Sequence, residues 1–94
     1  MNKMNLVTKI EDRLAENKSG VKTYATYESA EKIGNKLGSD YAARCGKTDA
    51  VEFIVVFLPK TQRFSVVFRL MDFMTKHQTG GYVGVFAQQG FFSI

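Results

Sequence analysis

The sequence has almost no proline, cysteine or histidine and no tryptophan: Pro59, Cys45 and His77 are the only residues of their kinds. A single cysteine excludes an internal disulfide. One cysteine with one histidine cannot supply the four ligands of a structural zinc site. No apolar run is longer than that from Phe53 to Leu58, far short of the ~20 residues that span a bilayer as a helix. The stretch from Met1 to Leu6 lacks the apolar core of a secretory signal. A chain with neither disulfides nor such a signal is expected in the cytoplasm. There is no low-complexity tract and no repeat at a solenoid period.

What is there is apolar and aromatic. The 94 residues are 45% hydrophobic and 13% aromatic, with eight Phe and four Tyr. That composition supports a core and excludes a disordered chain. The length predicts one domain, 1–94, with residues 1–20 as an N-terminal helix and residues 21–94 as a sheet and a second helix. The net charge is +4, and the excess lies late: residues 53–94 hold Lys60, Arg63, Arg69 and Lys76 against Asp72 alone, an excess of +3. The later half is the more attractive to anions.

Val7, Ile10 and Leu14 recur at i, i+3 and i+7 and predict an amphipathic helix over 4–17, started by Asn5 or Asn2 and ended at Ser19-Gly20. Val21 to Ala25 reads as a short strand. Thr26 is a natural N-cap for a second helix, with Glu28 facing its positive end. Ala30, Gly34 and Gly38 form a small-residue stripe on that helix. Gly34 costs about 1 kcal/mol relative to Ala, which predicts close approach to a sheet; Gly38 reads as a contact or as a C-cap. Glu52 to Leu58 and Arg63 to Arg69 are strands joined by a hairpin turn at Pro59 to Gln62. The first is apolar on both faces and is expected to be central. Phe64, Val66 and Phe68 alternate with Arg63, Ser65 and Arg69, so the second has a wetter face. Leu70 to His77 reads as a short helix, Gly80-Gly81 as a break, Tyr82 to Ala87 as a strand, Gln88-Gln89-Gly90 as a turn and Phe91 to Ile94 as a last strand.

These elements predict an α+β fold: an antiparallel sheet of four or five strands with two helices packed on one face, in the order α-β-α-β-β-(α)-β-β. That order contains the one used by ferredoxin-like domains, including RNA-recognition domains. Phe53, Phe57, Phe64, Phe68 and Phe86 are expected on one face. A face that apolar is best covered, by the helices or in part by a second copy of the chain.

Signatures of chemistry are weak. Gly46-Lys47-Thr48 lacks the Gly five positions earlier that a phosphate-binding loop needs; Tyr41 stands there. Cys45 and His77 make a nucleophile and base only if the fold joins them and a third group orients the His. No pair of carboxylates stands out, and Gly81-Tyr82-Val83-Gly84 matches GxxG inside a predicted strand. No enzyme, metal or cofactor is expected.

Lys22-Thr23-Tyr24-Ala25-Thr26, running into Glu28-Ser29-Ala30-Glu31-Lys32, resembles the start of small uncharacterised tailed-bacteriophage accessory proteins. Arg63-Phe64-Ser65-Val66-Val67 resembles the second strand of the same proteins, so the likeness spans residues 21–68. It implies an early or auxiliary phage role in a bacterial host cytoplasm and brings no functional residues with it.

Two functions are expected from the residues. The first is nucleic-acid binding, with Lys60, Arg63, Arg69 and Lys76 on phosphates and Tyr82 stacked on a base. The second is a protein-interaction module, an inhibitor or adaptor acting on a host or partner protein and itself a homodimer, using Phe91, Phe92 and Ile94 at an exposed strand edge. A small-ligand sequestering protein is the third. A homo-oligomer is expected, and a membrane partner is not.

Overall fold

Among residues 3–16, 21–87 and 90–94, which the computed structural model describes, the chain forms α1 (Lys3–Glu16), α2 (Tyr27–Arg44), β1 (Phe53–Leu58), β2 (Arg63–Met71), β3 (Gln78–Val85) and β4 (Phe91–Ser93). The class is α+β, and the strands form one antiparallel sheet in the order β1-β2-β3-β4. The expected stop at Ser19-Gly20, a cap at Asn2, and Gln88 and Gln89 of the predicted turn lie outside the described residues. Asn5 lies within α1 and does not precede it.

The two helices do not share a face of the sheet. Register puts Phe53, Val55 and Phe57 of β1 beside Phe68, Val66 and Phe64 of β2, with Val83 and Val85 following in β3 and Phe91 in β4. Cross-strand partners point to the same side. That side meets α2 through Ala30, Tyr41 and Ala42. Ile54, Val56 and Leu58 project to the other side with Val67 and Phe92, where Leu6 and Ile10 of α1 cover them. The result is a helix, sheet, helix sandwich. The expectation of one covered face fails because both sets of alternating positions are apolar, and each needs a lid.

Local chemistry explains the helix limits. Thr26 is extended (φ −128°, ψ 156°), and its hydroxyl accepts the Ser29 N–H at 3.2 Å. α2 then runs straight through both glycines. A Cβ on Gly34 would lie 2.4 Å from the Phe53 ring, and one on Gly38 would lie 3.0 Å from the Val51 carbonyl. The small residues let the helix axis sit close on β1, so Gly38 is a contact and not a cap.

The late strands are longer than the residues suggest. β2 continues through Met71, whose N–H donates to the buried Tyr41 hydroxyl at 3.0 Å. The predicted helix at 70–77 is instead the end of this strand and a turn. In that turn the Asp72 carboxylate accepts the N–H groups of Met74 (2.7 Å) and Thr75 (3.1 Å), a bond pattern that favours turns over helix. Gly80 and Gly81 lie inside β3, where a Cβ on Gly81 would meet Leu70. No helix lies between β2 and β3, where the expected order put one, nor between β3 and β4 among the described residues, so the strands form a meander and lack the second crossover helix of a ferredoxin-like domain.

The segment 21–24 is not a strand of its own. It bridges the ends of β2 and β3 where they diverge. Val21 pairs with Phe86, and Tyr24 pairs with Phe64 through two backbone hydrogen bonds of 2.7 and 2.8 Å. Val21 packs in the α1 core and Tyr24 against the α2 core. The chain therefore crosses from one face of the sheet to the other at this gap. β1 is an edge strand, although its two apolar faces suggest a central one.

Gly34→Ala should lower stability. Overpacking costs about 1–3 kcal/mol, against about 1 kcal/mol gained in helix propensity, so the denaturant midpoint should fall. Alkali should also destabilise the fold. Burial pushes up the thiol of Cys45 and the phenols of Tyr41 and Tyr24. Each raised group favours the neutral form when folded. Its contribution is complete below its ordinary value, about 8.5 for Cys and 10 for Tyr, and is lost as pH rises through the folded value. Unfolding midpoints measured from neutral to alkaline pH should decline first in the thiol range, and Cys45→Ala should move that onset towards the tyrosine range.

Candidate functional site

The basic residues expected to track phosphates fall at two ends of the sheet. Lys60 and Arg63 stand at the β1–β2 turn; Arg69 and Lys76 lie towards the β2–β3 turn. Arg63 is engaged within the chain. Its Nε donates to the Thr23 hydroxyl at 2.7 Å and its terminal nitrogen to the Thr23 carbonyl at 3.2 Å. Ser65 adds a hydroxyl donor to the Lys22 carbonyl at 3.2 Å. Together they hold the crossing segment against β2. The backbone N–H of Lys60 donates to the Glu11 carboxylate at 2.9 Å, which ties the turn to α1. Lys76 has a positive φ of 62°, and its aliphatic stem lies beside Gly46.

Arg69 and Tyr82 are brought together. They are cross-strand partners, and the guanidinium lies 5.7 Å from the centre of the Tyr82 ring. Glu52, Ile54 and Val67 join them around a cleft of about 50 Å³. Ligand pockets usually measure ~300–1,000 Å³. A trough of about 210 Å³ beside α2, with Lys22, Tyr24 and Lys36 at its rim, also lies below that range.

Phe91, Phe92 and Ile94, expected at an adhesive edge, are all packed internally. Phe91 stacks on Tyr41 at 4.7 Å. Phe92 is buried on the opposite face, with the Arg13 guanidinium 4.2 Å from its ring centre and Phe86 at 4.7 Å. Phe86 thus faces α1 and not the other four phenylalanines. The Ile94 N–H donates to the Tyr82 carbonyl at 2.9 Å. β4 is an edge strand, as expected for this end of the sheet, but it is only three residues long.

The more open surface is the other edge, which sequence reasoning placed in the middle of the sheet. The Arg69 N–H donates to the Glu52 carbonyl at 3.1 Å, and Glu52 is opposite Arg69 in this register. Alternation then turns the N–H and C=O groups of Ile54, Val56 and Leu58 towards β2 and those of Phe53, Val55 and Phe57 outwards. Among the described residues no backbone group meets these outward groups. Phe57 is 47% exposed and Tyr27 48%. Both rings rest on Phe64, at 5.3 and 6.1 Å, and form an aromatic shelf beside the edge. The available signal was Phe53 to Leu58 itself, six apolar residues without a charge.

No catalytic arrangement accompanies this edge. Cys45 is buried at the end of α2, and desolvation raises its thiol, the reverse of an activated nucleophile. His77 is exposed in the β2–β3 turn. Among the described residues no group of three His, Cys, Asp or Glu side chains is placed to hold a metal ion, and no helix is long and apolar enough to cross a membrane. Comparison with protein-family models, curated proteins and solved structures found no match.

Arg63→Ala should loosen the crossing segment. The two hydrogen bonds are exposed, so the expected loss is about 1 kcal/mol, read as a lower denaturant midpoint with faster amide exchange at Tyr24 and Phe64. Arg63→Lys should not restore it, because an ammonium cannot reproduce the fork.

Proposed function

We propose that this chain is a non-enzymatic protein-interaction module that receives an extended strand along the free edge of β1. The carrying observation is that edge itself: outward backbone groups at Phe53, Val55 and Phe57, beside the exposed rings of Phe57 and Tyr27. Strand addition draws affinity from main-chain hydrogen bonds and specificity from alternate side chains. Both are on offer here. Protected edges carry a lysine, a proline or a bulge, and β1 has none of these. The auxiliary phage role implied by the resemblance over residues 21–68 would suit such a module as an inhibitor or adaptor acting on a host protein.

Nucleic-acid binding is the second reading. It draws on the +3 excess after residue 52 and on the cation–aromatic pair of Arg69 and Tyr82. Its complex would be sensitive to salt.

A fluorescent peptide with the sequence of residues 63–69 serves as a probe strand, since its terminal arginines keep it soluble. It should bind the wild type with little dependence on salt. It should bind Val55→Pro about tenfold more weakly or worse, a loss of about 1.4 kcal/mol. Equal binding to both proteins overturns the strand-accepting edge. A salt-sensitive complex with oligonucleotides, lost in a Lys60→Glu, Lys76→Glu double variant, would move the assignment to nucleic acid.

A further inference from the structure

We infer that the strand received by β1 is β1 of a second copy of this chain, running antiparallel with Val55 on the two-fold axis. The inference rests on the reading of β1 as a strand-accepting edge, and it names the occupant.

The first argument is self-complementarity. A two-fold interface puts the same patch on both partners, so the patch must match itself when reversed. Phe53-Ile54-Val55-Val56-Phe57 reads Phe-Val-Val-Ile-Phe backwards. Reversal about Val55 sets Phe53 opposite the copy's Phe57, and Val55 opposite Val55. It also sets Ile54 opposite Val56 on the other face. Every cross-strand pair over residues 53–57 is apolar, and the exposed Phe57 ring gains a neighbour on the side where its own sheet provides none.

The second argument is hydrogen-bond phase. An antiparallel pair alternates between residues that exchange two bonds and residues that exchange none. The outward groups belong to the odd positions 53, 55 and 57. In the register centred on Val55 odd positions meet odd positions, so each outward donor faces an outward acceptor. A shift of one residue would break that match and put the wrong side chains on each face.

The third argument is charge. The same register carries the Asp49 and Glu52 end of one strand towards the Lys60 end of the other. The contact joins opposite signs at both rims, although each chain is +4 overall. The joined sheet would have eight strands, with both α2 helices on one face and both α1 helices on the other. β1 would then be a central strand, as its composition suggests.

The test reads mass and proximity in the full chain. Light scattering should give twice 10.6 kDa for the wild type and the single-chain mass for Phe57→Lys and Val55→Pro. Proline suits this position, because the Val55 N–H points away from β2 and proline is tolerated where that donor faces outwards. A Val55→Cys variant should form an intermolecular disulfide under mild oxidant. Opposed residues of a bonded pair lie about 5.5 Å apart at Cα, within the ~4.4–6.8 Å that a disulfide spans. Thr61→Cys, in the turn, should not cross-link, and the native Cys45 is buried. Circular dichroism checks each variant; if Val55→Pro fails to fold, Phe57→Lys on its exposed side chain and Val55→Cys carry the test. A wild type that stays at 10.6 kDa at its highest soluble concentration overturns the second copy as occupant, and binding of the probe peptide then shows that the edge itself still accepts a strand. A dimer that persists in Phe57→Lys and does not cross-link through Val55→Cys also overturns the second copy as occupant, and equal binding of the probe peptide to wild type and Val55→Pro is what overturns the edge.

Discussion

Four consecutive residues of β2, Ser65 to Phe68, are buried. Consecutive strand residues point to opposite faces, so such a run exists only where both faces of the sheet are covered. The rest of the architecture follows from that requirement. One helix cannot cover both faces, so α1 and α2 take one each. The chain must then pass from one face to the other between the two helices. It does so at the splayed ends of β2 and β3, where Val21 still belongs to the α1 core and Tyr24 already belongs to the α2 core. The side chains of Arg63 and of the buried Ser65 in β2 hold the backbone of this crossing. A basic residue that looks free for phosphate is the fastening of a topological crossing.

The local features were legible in the sequence. The stripe of Val7, Ile10 and Leu14 announced α1, Thr26 announced the start of α2, and Pro59 to Gln62 announced the hairpin. Gly34 was legible as a point of close approach, and it sits against Phe53. These signals are decided by residues near one another in the chain. What stayed hidden is set by contacts across long separations. Leu70 and Met71 have helical neighbours in composition, yet they extend a strand because β3 runs alongside, pairing with Met71 beyond an irregularity at Leu70, and Tyr41 is there to accept a hydrogen bond. Arg13 reads as a surface charge of an amphipathic helix, yet its guanidinium lies over Phe92 and Phe86.

The candidate site was the least legible part, for a related reason. Two-faced hydrophobicity reports that both sides of a strand are covered; it does not report whether strands lie on both flanks. Among the described residues β1 has helices above and below it and a strand on one flank only. Composition alone led to a central position and drew attention to Phe91, Phe92 and Ile94 as the free edge. Those residues do lie at an edge, but that edge is three residues long and has one ring turned to each core.

The position of β1 sets two requirements against each other. Burial on both faces asks for an apolar residue at every site. Protection of an edge asks for an inward charge, a lysine, a proline or a bulge at one of them. A strand of six residues cannot meet both fully, and Phe53 to Leu58 meets only the first. β4 avoids the conflict by being short, and β2 and β3 avoid it by being interior. The conflict at β1 is removed when another strand lies alongside, because its outward hydrogen-bonding groups are then paired and its exposed Phe57 ring acquires a neighbour. The composition of β1 fits a strand whose second flank is supplied by another chain.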